Sequence, residues 1–419
     1  MTNATNVRKN KSYFPEKTRL DWIWLIFVFL FSLNLYNNAM YLMIFTLIIG
    51  LVITFYKGSG FKFTIEFLLL LLFTFSYFLI LYINSNAGLY SMVLYFFGPI
   101  GCFFVGYFIV KTEKKIIVNT IFAILIGNFF HGLLNMINYL NSFGVSSSQR
   151  SVPDIWSGIY TAATLEGSHF TLLASLLFFT FTLFTKKSSF IWIIMLLAGI
   201  FFSIFTSFIL GNRTLIIITI VIFLLNSILY ILLKRNSLKQ ILSAYLYIAF
   251  FIIMIAFIYS IDFLGIKDFI LTSQLFNRIE DSSINEDPRL VVYGRAITQM
   301  FDFPFGGYQM DLGLRFAHNL WIDVLYATGL IPFFFLFLFT VKTIYNGFYI
   351  LINPYVEVLF KILFFSVNLG YLLNFMVEPI LEGATYMFLS FCLINGMISK
   401  YMYTLRFQKK LVGKDKRDI

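Results

Sequence analysis

Residues 287–335 read DPRLVVYGRAITQMFDFPFGGYQMDLGLRFAHNLWIDVLYATGLIPFFF. The segment begins as a polar loop that carries Arg289, Arg295, Arg315 and His318, and it continues directly into a strongly apolar stretch. A helix in the apolar stretch would lie in a bilayer, so the polar groups before it would lie at a membrane surface. The segment therefore predicts a membrane protein whose cationic and acid–base groups are positioned where a lipid-linked anionic substrate would sit.

The composition of the whole chain supports a membrane location. Of its 419 residues, 59% are hydrophobic and only 12% are charged, and the mean hydropathy is +0.84. In soluble domains, about a quarter of the residues are usually charged. Apolar runs of about 17 to 25 residues recur along the chain, and each can cross a hydrocarbon core of roughly 30 Å as a helix. The expected fold is an all-α, polytopic integral membrane protein, with residues 1–419 forming one membrane domain.

The polar breaks between these runs predict about twelve transmembrane helices. Their approximate limits are 21–35, 39–56, 63–83, 88–110, 116–140, 166–185, 189–210, 214–233, 241–262, 319–344, 356–377 and 383–404. An even number of spans places both termini on the same side of the membrane.

The distribution of lysine and arginine predicts which side that is. These residues are concentrated in the two termini and in alternate loops. The other set of loops contains only Arg150, Arg213, Lys267, Arg278, Arg289, Arg295 and Arg315. Because positive charge is retained in the cytoplasm, both termini are expected to be cytoplasmic and the sparsely charged loops extracytoplasmic. This asymmetry accounts for the net charge of +11 better than nucleic-acid binding does.

Two extracytoplasmic segments are long, 141–165 and 263–318. The second lies between spans 9 and 10 and carries most of the charge on its side of the membrane. Long loops are usually functional or partly helical. Residues 290–301 have apolar side chains at helical spacing, which predicts an amphipathic helix ended by Pro304 and the following glycines. We expect this loop to carry part of a functional site.

Arginines in these loops are candidate ligands for phosphate. Arg213 lies in a short turn between two spans, and Arg289, Arg295 and Arg315 lie in the long loop. A guanidinium is permanently charged, and its planar fork fits phosphate oxygens. The alternatives are that Arg213 extends toward lipid headgroups and that the loop arginines are balanced by the acids of residues 280–287.

His318 is the candidate acid–base group because histidine titrates near neutrality and can accept a proton from a sugar hydroxyl. Asn319 and Asp323 follow it at the start of the tenth span, and His169 lies in the sixth. A capping role for His318 is the alternative, and for His169 it is packing or helix–helix hydrogen bonding.

The sequence predicts neither a metal site nor a bound cofactor. The three histidines are far apart in sequence, no Asp-x-Asp motif occurs, and Gly306-Gly307 lacks the strand and lysine of a phosphate-binding loop. Cys102 and Cys392 each lie within an apolar run, which argues against a disulfide framework.

Five short motifs resemble the shared core of O-antigen polymerases and O-antigen ligases. They are Arg289-x-x-x-Tyr293, Ala296, Pro304-x-Gly306, Ala317-His318-Asn319-Leu320 and Thr328-Gly329-Leu330-Ile331. Members of that family have about a dozen spans with a long extracytoplasmic loop before a late span. The specific match covers about 289–335, together with Arg213 and the span count.

The resemblance implies a metal-independent, inverting glycosyltransferase without cofactors, located in the plasma membrane with its site facing outward. Its substrates would be undecaprenyl-diphosphate-linked oligosaccharides, which it would join into a capsular, exo- or O-antigen polysaccharide. By the resemblance, Arg213 and Arg289 would bind the diphosphate and His318 would activate the acceptor. We expect Arg295, Arg315, Asn319, Asp323 and His169 to contact substrate. A chain-length regulator and a flippase are candidate partners.

Two alternatives remain open at this point. A ligase would use the same donor and transfer the glycan to a different acceptor. A flippase or exporter of the same lipid-linked glycan would carry charged residues along a central cavity between related halves of the chain.

Overall fold

The computed structural model describes residues 19–37, 39–57, 62–84, 88–110, 114–145, 147–184, 190–234, 237–280, 288–314 and 316–415. Arg315, one of the predicted substrate contacts, lies outside these residues. Within them the chain is overwhelmingly helical, as the apolar runs predict.

The longer helices coincide with the predicted spans. They are α1 (Arg19–Ser32), α2 (Ala39–Lys57), α3 (Ile65–Asn84), α4 (Leu89–Ile109), α5 (Lys114–Phe143), α6 (Ala163–Ala174), α7 (Leu177–Phe184), α8 (Phe190–Leu210), α9 (Arg213–Lys234) and α10 (Leu238–Ser260). The second half of the chain forms α11 (Ile266–Leu271), α12 (Gln274–Glu280), α13 (Pro288–Gln299), α14 (Leu320–Thr328), α15 (Leu330–Ile352), α16 (Val358–Phe375), α17 (Ile380–Gly383) and α18 (Thr385–Asp415).

Eight helices of the described part of the chain are long and apolar enough to cross a membrane. They are α3, α5, the α6–α7 pair, α8, α9, α10, α15 and α16. Predicted spans 1, 2 and 4 correspond to shorter apolar helices, Asp21–Ser32, Tyr41–Ile53 and Val93–Ile109. Predicted span 12 corresponds to the first part of α18. An all-α membrane protein is therefore confirmed, whereas the count of twelve spans and their orientation stay predictions.

The long loop is partly helical, as its apolar spacing indicates. Helix α13 covers most of the predicted 290–301 helix and buries Val292 and Ala296, while Leu290 and Ile297 are exposed. In the other long segment, strands β1 (Ser151–Pro153) and β2 (Tyr160–Ala162) form an antiparallel hairpin. The all-α prediction did not include this hairpin.

The tenth span begins later than the predicted 319–344. The chain forms the short helix α14, breaks at Gly329, and only then enters α15. Gly329 has φ of 80°, and a Cβ there would lie 2.0 Å from the carbonyl oxygen of Pro304. Leu330 donates its N–H to that same oxygen at 2.9 Å. The contact between Pro304 and Gly329 holds α14 against the long loop, so α14 is separate from the long apolar helix α15.

The apolar helices differ strongly in how far they are buried inside the protein. In the most apolar stretch of α6 and α7, 89% of the residues are buried, whereas in that of α10 the share is 11%. Helix α6 packs against α5, α8, α9 and α16. Polar residues on α6 therefore face the interior of the bundle, while α10 presents its apolar surface outward, as expected for a helix in contact with lipid.

At one end of the bundle, lysines of the predicted cytoplasmic side each contact a residue of another helix. Lys342 Nζ lies 3.5 Å from Glu66 Oε1, and Lys114 pairs with Glu357. Lys400 lies over the ring of Tyr107. These contacts join α15 to α3, α5 to the start of α16, and α18 to α4.

Candidate functional site

The turn between α8 and α9 is fixed by Gly211 and Asn212. Gly211 has φ of 63°, which allows the tight reversal. Asn212 is buried, donates from Nδ2 to the carbonyl oxygen of Ala163 at 3.2 Å, and accepts from the Leu215 N–H at 3.3 Å. Because this side chain ties the turn to the start of α6, Arg213 has a fixed place at the first position of α9.

Three arginines lie at this turn: Arg150, Arg213 and Arg278. The charge of Arg289 lowers the pKa of Arg278, and we call all four the arginine cluster. Arg278 donates from Nη1 to the Gly211 carbonyl oxygen at 2.5 Å, and Arg213 donates from Nη1 to the Arg278 carbonyl oxygen at 3.4 Å. Arg150 donates from Nε to the Leu210 carbonyl oxygen at 3.5 Å. All four side chains are half-buried.

The charges of the arginine cluster act on one another. The pKa of Arg278 is lowered to about 10, mainly by burial and further by the positive charges of Arg150, Arg213 and Arg289. Burial also lowers the pKa of Arg150, with the charge of Arg213 as the second cause. Four partly desolvated cations at one place create a strongly positive potential that favours binding of a polyvalent anion.

His318 lies beside the arginine cluster in a constrained conformation. Its φ is 55°, in the left-handed region. The carboxylate of Asp323 accepts from the N–H of Ala317 at 2.7 Å and of Asn319 at 3.1 Å, on either side of His318. Burial lowers the pKa of His318, and the charge of Arg289 lowers it further. The imidazole is therefore neutral at neutral pH and keeps one nitrogen lone pair as a proton acceptor.

Asn319 caps α14 and ties residues 317–319, which we call the histidine loop, to the segment between α16 and α18. Its side-chain oxygen accepts from the N–H groups of Trp321 and Ile322, each at 3.2 Å. Its Nδ2 donates to the Met376 carbonyl oxygen at 3.5 Å, and the Tyr293 hydroxyl donates to the same oxygen at 2.8 Å. One carbonyl thus joins α13, the histidine loop and residues 376–384.

Glu378 brings a carboxyl group next to the arginine cluster. Its side chain is 1% exposed. Burial raises its pKa to about 7, although the charge of Arg289 acts in the opposite direction. Glu378 therefore titrates near neutral pH, and the charge of Arg289 favours its ionised form.

A second group of polar side chains consists of the buried His131, Asp154 and His169 and the partly buried Tyr386, and we call it the histidine cluster. His131 Nε2 lies 2.8 Å from Asp154 Oδ2, and the rings of His131 and His169 are 4.5 Å apart. The Tyr386 ring stacks on His169 at 5.2 Å, and its hydroxyl lies 3.0 Å from His169 Nδ1. Nearby, Asn135 donates from Nδ2 to Glu166 Oε2 at 3.0 Å.

No model of a known protein family matches the chain, and no curated protein matches its sequence.

The structure brings together three of the predicted site residues. The charges of Arg213 and Arg289 both lower the pKa of Arg278, and the charge of Arg289 lowers the pKa of His318. Asn319 and Asp323 hold the histidine loop by backbone contacts. His169 lies in the histidine cluster, which adjoins the site through the proximity of Tyr386 to Glu378.

Arg295 occupies a different position from the other predicted arginines. Its Nη1 lies 4.0 Å from Asp311 Oδ1, and its side chain is 47% exposed. The acid that Arg295 contacts is Asp311, which lies outside residues 280–287, and the role of Arg295 in substrate binding stays a prediction.

The sequence did not single out Arg150, Arg278 or Glu378. Arg150 and Arg278 belong to the small set of basic residues in the predicted outward loops, and that shortage was the available signal. In the described part of the chain, no three His, Cys, Asp or Glu side chains are grouped so as to hold a metal ion.

Asp154 is expected to be a structural residue that fixes the hairpin against α5. Burial alone would raise its pKa, but hydrogen bonds from His131 and Ser157 lower it well below its usual value. Asp154→Ala leaves His131 and the N–H groups of Trp156 and Ser157 without this partner. We expect a loss of about 3–5 kcal/mol in unfolding free energy, measured as a lower midpoint of thermal unfolding in detergent.

The matched control is Asp311→Ala, since the Asp311 side chain is 88% exposed. It should change the unfolding free energy by less than about 0.5 kcal/mol. Equal effects of the two substitutions would contradict the assignment of Asp154 as the anchor of the hairpin.

Proposed function

We propose that the protein is a glycosyltransferase that lengthens a surface polysaccharide at the outer face of the plasma membrane. It moves a glycan from a polyprenyl diphosphate carrier to a sugar hydroxyl of a second carrier-linked repeat unit. The observation that carries the proposal is the arginine cluster, which lies beside a neutral histidine at the ends of apolar, membrane-length helices.

The arginine cluster suits the diphosphate of the carrier. Guanidinium groups bind phosphate oxygens through paired, charge-assisted hydrogen bonds. Arg213 begins a helix of membrane length, α9, so a diphosphate held there can leave its polyisoprenoid chain in the bilayer. The same cations stabilise the negative charge that develops on the diphosphate as its bond to the sugar breaks.

His318 is placed to assist the acceptor. The acceptor oxygen attacks the anomeric carbon from the face opposite the diphosphate, a new carbon–oxygen bond forms, and the bond to the phosphate oxygen breaks. The electron pair of the broken bond leaves with the diphosphate, and the acceptor proton passes to the neutral imidazole of His318. This single displacement inverts the configuration at the anomeric carbon and requires no metal ion.

The neighbouring residues prepare these two groups. Asp323 and Asn319 fix the loop on both sides of His318, and Met376 links that loop to α13, which carries Arg289. The groups that would bind the diphosphate and accept the proton are thus held at fixed positions relative to each other. Such fixed orientation lowers the entropic part of the reaction barrier.

The proposal is tested in cells that make the polysaccharide. Replacing the wild-type gene by one encoding His318→Ala is expected to abolish polymer and to leave single repeat units on the carrier at the outer leaflet, at unchanged membrane levels of the protein. The products are measured by extracting carrier-linked glycans and by labelling intact cells for outward-facing sugars.

Three other outcomes would contradict the proposed function. Repeat units stranded on the inner leaflet would indicate a flippase. Full-length polymer that stays on the carrier and fails to reach another acceptor would indicate a ligase. Normal polymer would exclude a role for His318 in the transfer.

A further inference from the structure

The hairpin of β1 and β2 ends in an apolar tip. Ile155 is 36% exposed, Ile159 is 65% exposed and Tyr160 is 57% exposed. Residues 155–165 contain no charged side chain. Single exposed apolar residues are common on protein surfaces, whereas a contiguous uncharged patch indicates a surface that a partner or a membrane covers.

Aromatic rings extend this tip on both sides, and we call the whole surface the hairpin patch: Tyr36, Phe143, Ile155, Trp156, Ile159 and Tyr160. The Trp156 ring lies 5.2 Å from the ring of Tyr36, which is 70% exposed in the segment between α1 and α2. The Tyr160 ring lies 6.4 Å from the ring of Phe143, the last residue of α5. Three parts of the chain therefore build one surface.

The backbone of the tip makes its hydrogen bonds inside the protein. The N–H groups of residues 154–159 each donate to a protein acceptor at 2.8–3.3 Å. Asp154 Oδ1 accepts from the N–H groups of Trp156 and Ser157 and from the Ser157 hydroxyl. Asn135 Oδ1 accepts from the N–H of Ile155. Because these donors do not depend on water, the tip can lie in a region that is poor in water.

The hairpin patch continues the exposed side of α5, a helix of membrane length. Phe130 is 43% exposed and Ile137 is 46% exposed, and the two residues lie two turns apart on the same side of the helix. Phe143 follows in the last turn and is 37% exposed. An exposed apolar side on such a helix is expected to contact lipid. The contact of Phe143 with Tyr160 extends this surface into the hairpin.

We propose that the hairpin patch lies in the lipid headgroup region and anchors the hairpin to the membrane. Tyrosine and tryptophan favour this region because their rings are apolar while their polar atoms can reach the hydrated headgroups. Ile155 and Ile159 add apolar surface that favours the start of the acyl chains. A sugar or an acidic or basic protein segment fits less well, since the tip offers no charge and its backbone N–H groups already have acceptors.

The anchor also acts on the arginine cluster. Arg150 directly precedes β1, and its Nε donates to the Leu210 carbonyl oxygen at 3.5 Å. A hairpin fixed in the headgroup region therefore keeps the 210–213 turn at a constant depth in the membrane. The inference concerns where the hairpin lies, and it goes beyond the proposed function without depending on it.

The test measures the depth of a spin label attached at Ile159→Cys in the full-length protein, with Cys102→Ala and Cys392→Ala so that one cysteine remains. The protein is reconstituted in liposomes of phosphatidylethanolamine and phosphatidylglycerol. Electron paramagnetic resonance measures the collision rates of the label with oxygen, which concentrates in lipid, and with a nickel chelate, which stays in water. Asp311→Cys, in place of a side chain that is 88% exposed, is the reference for water. Phe250→Cys, in place of a side chain that is 61% exposed on α10, is the reference for lipid.

We expect the label at Ile159→Cys to collide with the nickel chelate several-fold less often than the label at Asp311→Cys. Its depth should lie within about 5–10 Å of the boundary between headgroups and acyl chains, shallower than that of the label at Phe250→Cys. Ile155→Cys should give the same result from a second position, which guards against a local effect of one substitution.

Collision with the nickel chelate as frequent as at Asp311→Cys would place the hairpin in water and overturn the inference. Infrequent collision with both oxygen and the chelate would show that protein covers the patch, from a second copy of the chain or another partner, and would overturn it as well.

Discussion

Replacing His318 by alanine is expected to lower the rate of glycosyl transfer by about two to four orders of magnitude, the usual contribution of a proton-transfer group. The reason is specific to this position, since burial and the charge of Arg289 lower the pKa of His318 and keep the imidazole neutral. Transfer is measured with the protein reconstituted in liposomes with carrier-linked repeat units, by separating the products according to chain length.

His318→Gln is the informative companion variant, because glutamine keeps a polar side chain but cannot accept the proton at neutral pH. It should lose as much activity as alanine, and both variants should bind undecaprenyl diphosphate with wild-type affinity. If glutamine restored activity, His318 would be a hydrogen-bonding residue rather than the proton acceptor. If both variants lost lipid binding and thermal stability together, the histidine would have a structural role.

Replacing Arg289 or Arg213 by alanine is expected to lower the rate of transfer by about two to three orders of magnitude, the usual effect of removing one group that stabilises developing negative charge. The affinity for undecaprenyl diphosphate should fall as well, because in the proposed mechanism the guanidinium contacts the same phosphate oxygens before and after the bond breaks. The Arg289 variant should also change the titration of two other groups, since the charge of Arg289 lowers the pKa of His318 and of Glu378.

Lysine at either position tests geometry against charge. It restores the charge but not the planar fork, so it should recover only part of the lost affinity. Lys267→Ala is the matched control, an exposed cation in the same long loop, and it should bind and transfer normally. Equal losses in the Lys267 variant would indicate a diffuse electrostatic effect of the loop and would contradict a defined diphosphate site.

The fold class could be predicted because the bilayer imposes a strong constraint on sequence. Helices must be about 20 apolar residues long, and the runs in this chain stand out from the polar breaks around them. The break at Gly329 was not predictable in the same way. It depends on the close approach of Pro304, a contact between residues 25 positions apart that no local pattern encodes.

The site could be predicted in part for a similar reason. Arg213, Arg289 and His318 occupy conspicuous positions at the junctions of loops and apolar helices. Arg150 and Arg278 lie in the middle of their loops, and only the fold brings them to the 210–213 turn. Arg295 has the same chemistry and lies on the same helix as Arg289, yet its helical position directs it toward Asp311. Residue type alone could not distinguish these cases.

In the proposed function, Arg213, Arg278 and Arg289 form a single diphosphate-binding site beside His318. The most direct measurement is a cryo-electron microscopy structure of the full chain in a lipid nanodisc with undecaprenyl diphosphate. We expect diphosphate density in contact with these three guanidinium groups and next to the imidazole. Diphosphate density at the opposite end of the bundle, near Lys342 and Lys400, would contradict it.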